Sequence, residues 1–117
     1  MSYFEELNVW KRSVKLAVKI YEITGRNPFN KDFGLRDQMR KAAVSIPSNI
    51  SEGDQLGSDK SAIRHFNIGK GSAAELFTQT LIAERIGYLN QKDYNFLKNE
   101  ATEILGMLTN LIKFRKK

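Results

Sequence analysis

The stretch "AAVSIPSNISEG", residues 42–53, sets a proline, serines and an asparagine inside flanks whose apolar spacing is that of one continuous helix. At about 100° per residue, Leu35, Met39, Ala42, Ile46, Ile50 and Gly53 form one stripe, and Gln38, Ser45, Asn49 and Glu52 form a second beside it. Pro47 belongs to neither. It shares a row with Arg36 and Arg40, read as the outward side, where the carbonyl it leaves without a donor can turn to water and the helix can bend around the core. The polar stripe needs partners, because a half-buried amide or carboxylate is costly unless hydrogen-bonded. The segment "GKGSAAELFTQ", residues 69–79, supplies Ser72, Glu75 and Gln79 on one face of the next helix, with Gly69 and Gly71 expected to let the backbones approach. A polar seam of Ser45, Asn49 and Glu52 against Ser72, Glu75 and Gln79 is therefore expected. Its plainest role is to fix helix register, and the alternative is a ligand or catalytic role.

Helical periodicity extends outward in both directions, and strand signals are absent. Ser2 and Glu5 have capping-box spacing ahead of a first helix over about 3–25, whose expected core stripe is Leu7, Trp10, Val14, Ala17, Val18 and Tyr21. Gly25 and Pro28 end it. A second helix over about 33–53 opens near Asp32 to Gly34 and is closed by Gly53 and Gly57. Ser58 or Asp59 caps a third over about 59–88, and Asn90 a fourth over about 91–115, with Leu97, Ala101, Ile104, Leu105, Leu108, Leu111 and Ile112 on one face. Four long helices with short connections predict an all-α, antiparallel up-and-down four-helix bundle, one domain over residues 1–117.

Two helices carry a second apolar row. On the first it is Val9, Leu16, Ile20 and Ile23; on the third, Leu76, Ile82, Ala83 and Ile86, set apart from Ile63, Phe66, Phe77 and Leu81. A helix apolar on two sides in so small a bundle predicts burial against another subunit, so these rows are read as an oligomer interface.

The chain has 117 residues and a formal net charge of +6, and the surplus is concentrated. Residues 11–41 hold nine Lys or Arg against Glu22, Asp32 and Asp37, and the closing "KFRKK" adds four more, read as a frayed, solvated end. Such clustering creates a field that attracts polyanions. Lys11, Arg12, Lys15, Lys19 and Arg26, with Arg36, Arg40 and Lys41 of the second helix, are the candidate contacts to phosphate, and RNA or DNA is the expected partner. No helix-turn-helix spacing, zinc-finger pattern or RNP-type aromatic strand suggests base-specific reading.

Enzymatic readings find little support. With no cysteine there is no disulfide framework or thiolate metal site. His65 is the only histidine, and "AIRHF" lacks the Glu-x-x-His pair of a di-iron bundle. The "GKGS" at 69–72 lacks the spacing of a phosphate loop and lies within a helix. Glu52 and Glu75 have no nucleophile evident beside them. No catalytic residue, metal ligand or cofactor is expected. The acidic opening "MSYFEEL" is unlike a secretory signal and no apolar run nears the roughly 18 residues of a membrane span, so a soluble cytoplasmic protein is expected.

The segments "FEELNVWKRSVKLAVKIYEIT", "FGLRDQMRKAAVSIPSNISEG", "GSAAELFTQTLIAERIGYL" and "EILGMLTNLIKF" together resemble the small bundle proteins encoded in intervening sequences of bacterial 23S rRNA genes. Ser51 stands where that family usually has alanine, and Phe77 where a polar residue is common. The resemblance, shared with the accessory variability protein of diversity-generating retroelements, implies a homopentameric ring, nucleic-acid binding through basic surfaces and no established enzymatic activity. A ring would join modest basic patches into one surface for phosphate backbones. The alternative is a protein-interaction scaffold that docks a polymerase or a ribosomal component.

Overall fold

The computed structural model describes residues 4–116, so Ser2 and Lys117 lie outside the described residues. After a 3-10 turn at Phe4–Glu6 come α1 (Asn8–Thr24), a second 3-10 turn (Phe29–Lys31), α2 (Phe33–Gln55), α3 (Asp59–Arg85) and α4 (Gln91–Arg115). Each helix packs on its neighbours in order, and α1 also meets α4, closing a four-helix bundle whose most extensive contacts are α2 with α3 and α3 with α4. The molecule measures 45 × 22 × 21 Å. Its long axis matches the 27-residue α3, about 40 Å at 1.5 Å per residue, so the helices run along it.

The helix ends follow from local chemistry. Asp32 caps α2 by accepting from the Leu35 N–H at 3.1 Å, and Ser58 caps α3 by accepting from Ser61 N–H at 3.1 Å. Asn90 caps α4 by accepting from Asp93 N–H at 2.7 Å. These bonds satisfy donors that have no partner inside the helix. Gly57 and Gly87 take positive φ (83° each) in the turns after α2 and α3, a conformation open to glycine at little cost. The Asn27–Pro28 bond is cis.

Helix α2 runs through Pro47 without a break. The row of Arg36, Arg40 and Pro47 is not the outward side that the sequence suggests. Arg40 reaches Thr24 and Tyr21 of α1, Arg36 reaches the Asn30 carbonyl, and Pro47 is half-buried. Gly53 does not end the helix either. It lies inside α2 and fully within the core, where an added Cβ would stand 2.9 Å from the Phe66 ring, 3.1 Å from the His65 Cβ and 3.2 Å from the Ala62 carbonyl oxygen. The close approach of α2 and α3 is thus at Gly53. At Gly69 a Cβ would meet only ordinary contacts, and at Gly71 it would meet open space.

The largest correction concerns α1. Val9, Leu16, Ile20 and Ile23, expected at a subunit interface, are the core face of this subunit, at 5%, 1%, 0% and 2% exposure. Val18 and Tyr21, expected in the core, are 55% and 47% exposed. The stripe is rotated because polar residues occupy part of the buried face. Ser13 and Thr24 are fully buried and return their hydroxyl protons to their own helix, Ser13 Oγ to the Trp10 carbonyl (2.9 Å) and Thr24 Oγ1 to that of Ile20 (2.6 Å). A satisfied hydroxyl can lie in a core at small cost, and it masks the apolar period. On α3, Leu76 and Ala83 likewise belong to the core, Phe77 is exposed, and of the expected interface residues only Ile82 and Ile86 stay at the surface.

Candidate functional site

Two regions carry chemistry: the basic residues around α1, and the polar contact between α2 and α3.

The eight basic candidates do not form one face. Four arginines hold the bundle together. Arg12 makes a two-pronged contact with Glu100 of α4, Nη2 to Oε2 at 2.6 Å and Nε to Oε1 at 3.2 Å. These hydrogen bonds outweigh the desolvation that opposes them and hold the Arg12 guanidinium further into its charged form. Arg26 donates to the buried Asp93 carboxylate at 2.8 Å, tying the end of α1 to the start of α4. Arg40 donates to Thr24 Oγ1 at 2.9 Å and to the Tyr21 carbonyl at 3.3 Å, its guanidinium lying 4.4 Å from the centre of the Tyr21 ring. Arg36 bonds the Asn30 carbonyl at 3.1 Å and Asp37 at 2.8 Å, and that bond holds the Asp37 carboxyl below its usual range.

The lysines differ. Lys11 and Lys15 are exposed and make no ion pair among the described residues, and Lys19 stands 3.8 Å from Glu22. Spaced four residues apart, they form a line along α1, about 6 Å from one to the next. Val14, Val18 and Phe96 form a groove beside Lys15 and Lys19. Lys41 is elsewhere, at the α2 and α3 contact. The end of the chain is anchored in part: Arg115 bonds Asp54 and Asp59, each at 3.1 Å, and lies over the Phe66 ring.

The polar seam between α2 and α3 is present, with one member that the sequence reading left out. Ser72 and Ser45 hydroxyls are 2.8 Å apart, and the Asn49 side-chain amide donates to Ser45 Oγ at 3.0 Å and to the Ser45 carbonyl at 2.9 Å. Asn49 Oδ1 stands 3.0 Å from His65 Nδ1, which is also 3.2 Å from Glu52 Oε2. Two acceptors on one ring nitrogen call for a proton there, so the Nδ1–H tautomer suits this site. His65 is therefore the partner of Asn49 and Glu52, in place of Ser72 and Glu75. Register could have revealed it. Seven residues along α2 lead from Ser45 to Glu52, and seven back along the antiparallel α3 lead from Ser72 to His65.

Seven residues the other way bring Gln38 level with Gln79, and this end of the seam opens into a cleft of about 290 Å³ lined by Gln38, Lys41, Ala42, Ser45, Ser72, Glu75 and Gln79. Glu75 and Lys41 are exposed and pair with no described residue, whereas Gln79 is buried. Its Oε1 accepts no hydrogen bond from any described residue.

Among the described residues, no group of three or more His, Asp or Glu is placed to hold a metal ion. No helix among them is long and apolar enough to cross a membrane.

Comparison with known proteins bears on the fold and on the family. No curated protein matches the chain. A crystal structure of a protein of unknown function from the S23 ribosomal protein family of Bacteroides thetaiotaomicron VPI-5482 is similar, with a TM-score of 0.83 and 29% identity over 90% of this chain and 98% of that one. Residues 5–110 match the family of the 23S rRNA-intervening sequence protein. With the match spanning the four helices almost end to end, the chain belongs to the 23S rRNA-intervening sequence protein family.

Proposed function

We propose that this protein is a non-enzymatic, bacterial, cytoplasmic oligomer that holds the phosphate backbone of RNA or DNA with little sequence preference. The observation that supports this most is the line of Lys11, Lys15 and Lys19 on the outer side of α1, where Lys11 and Lys15 have no described acidic partner to neutralise them. Arginines engaged in packing contribute to the field of the surface, while the exposed lysines are the groups free to meet a phosphate. Assembly into a homopentamer, which the family resemblance implies, would repeat the line around a ring and raise affinity through simultaneous contacts. Of the residues expected at an oligomer interface, Ile82 and Ile86 are the two that remain exposed for such an assembly. Binding of a structured RNA and of duplex DNA across a salt series tests the reading: affinity should fall steeply as salt rises, to a similar degree for unrelated sequences.

A protein-docking scaffold is the second reading. The exposed Phe77, in a groove with Ala74, Thr78, Thr102 and Leu105, favours it, because an aromatic ring in such a groove suits an apolar anchor from a polymerase or ribosomal component. Binding through that groove would be nearly indifferent to salt.

A further inference from the structure

We infer that the junction of α1 and α2 binds unpaired nucleotides by stacking their bases on Tyr21 and Phe33, an inference that rests on the nucleic-acid reading above and narrows it to single strands. Tyr21, near the end of α1, is 47% exposed, and Phe33, the first residue of α2, is 64% exposed. Each ring is backed by an arginine of α2. The Arg40 guanidinium lies 4.4 Å from the centre of the Tyr21 ring, and that of Arg36 lies 4.7 Å from the centre of the Phe33 ring. Both guanidinium groups are fixed by other bonds, Arg40 to Thr24 Oγ1 and the Tyr21 carbonyl, Arg36 to the Asn30 carbonyl and Asp37. The rings are therefore held from one side, and the accessible part of each is open to solvent. Arg36 and Arg40 are one turn apart, about 6 Å along α2, which sets the two rings in sequence along the junction.

A base laid on the open side of either ring completes a stack of base, ring and guanidinium. Bases inside a duplex already stack on their neighbours, so only an unpaired base can present its face to a side chain. The charges suit the phosphate of the same nucleotide. The acids closest in the chain are engaged, Glu22 beside Lys19, Asp32 with the Tyr88 hydroxyl and Asp37 with Arg36. Arg40 and the exposed Lys31, in the turn just before Phe33, make no ion pair among the described residues. A ligand that matches two flat faces with a cation beside each repeats one flat ring and one anion per unit, and a nucleotide chain has that composition. Tyrosine, phenylalanine and arginine also occur together in protein contacts, but an apolar anchor would leave Arg40 and Lys31 without a counter-charge.

The test is binding of fluorescently labelled oligo(dT), beside a DNA duplex of equal length, by the whole protein and by Tyr21→Leu, Phe33→Leu and the double variant. Leucine keeps an apolar side chain at each exposed position, removes the flat ring and leaves the fold in place. Each single change should weaken oligo(dT) binding by about tenfold, and the double change by more. Duplex affinity should stay as in the parent, and so should the slope of log K against log salt for oligo(dT), because no phosphate contact is lost. If the parent binds both nucleic acids and the double variant holds oligo(dT) equally well, the stacking site is overturned while phosphate binding by the lysines stands. An equal loss for duplex and single strand overturns the stacking site too. A parent that binds neither at low salt overturns both readings. A smaller particle mass for the ring variants in light scattering would assign the rings to contact between subunits and overturn the inference in favour of that occupant.

Discussion

Asn49 Oδ1 and His65 Nδ1 stand 3.0 Å apart across the contact between α2 and α3, and they join two hydrogen-bonding groups into one chain that runs from Glu52 through His65 and Asn49 to Ser45 and Ser72. Asn49 is its centre, donating in one direction and accepting in the other. Replacing it with leucine removes its two bonds to Ser45 and its bond to His65, and leaves the buried imidazole with Glu52 alone. A loss of about 1–3 kcal/mol in urea unfolding is expected for Asn49→Leu. Glu52→Ala, at the exposed end of the chain, should cost less. Equal stability of Asn49→Leu and the parent would show that the seam contributes nothing to folding.

Gly53→Ala tests the helix crossing. The added methyl would stand 2.9 Å from the Phe66 ring and 3.2 Å from the Ala62 carbonyl oxygen. The carbonyl belongs to backbone and cannot swing away, so overpacking should cost about 1–3 kcal/mol despite the better helix propensity of alanine. Gly71→Ala, with open space around the new atom, should be neutral or stabilising in the same measurement.

The rotated face of α1 gives the sharpest contrast. A charge introduced at Leu16 or Ile20, at 1% and 0% exposure, should abolish the cooperative fold, at a cost of more than about 4 kcal/mol. The same change at Val18, 55% exposed, should shift stability by no more than about 0.5 kcal/mol. Circular dichroism of Ile20→Asp and Val18→Asp settles the orientation, and the reverse ranking would contradict it.

Alkaline pH provides a further test. The Tyr88 hydroxyl donates to Asp32 Oδ2 at 3.0 Å, and that bond raises the phenol above its ordinary range, with burial adding in the same direction. A raised pKa means that the protonated phenol is favoured in the folded state. Its contribution is therefore complete below the unfolded value of about 10 and is lost as pH rises through the higher folded value. Because Asp32 also caps α2, Tyr88→Phe should remove this alkaline loss and slightly lower stability at neutral pH, as read from thermal midpoints across the pH range.

Much of the fold was legible because caps and apolar stripes are local features. Asp32, Ser58 and Asn90 cap the helices that their positions suggest, and the stripes of α2 and α4 face the core. The face of α1 was not legible, because Ser13 and Thr24 satisfy their hydroxyls within the helix and so occupy core positions as polar residues. The seam was legible as two polar stripes, but His65 was missed because partner assignment depends on register between helices that are distant in sequence until folded. Among the basic candidates, charge alone could not separate arginines that bind Glu100, Asp93 and Thr24 from lysines that stay at the surface.

That separation bears directly on the phosphate-binding proposal. The decisive measurement is the salt dependence of duplex DNA binding for the parent and for Lys11→Gln with Lys15→Gln, two exposed changes that leave the bundle intact. If both lysines meet phosphates, affinity should fall for every sequence alike and the slope of log K against log salt should become shallower by about 2, at about 0.9 for each phosphate no longer neutralised. A parent that binds no nucleic acid at low salt, or a double variant with unchanged affinity and slope, would contradict the account.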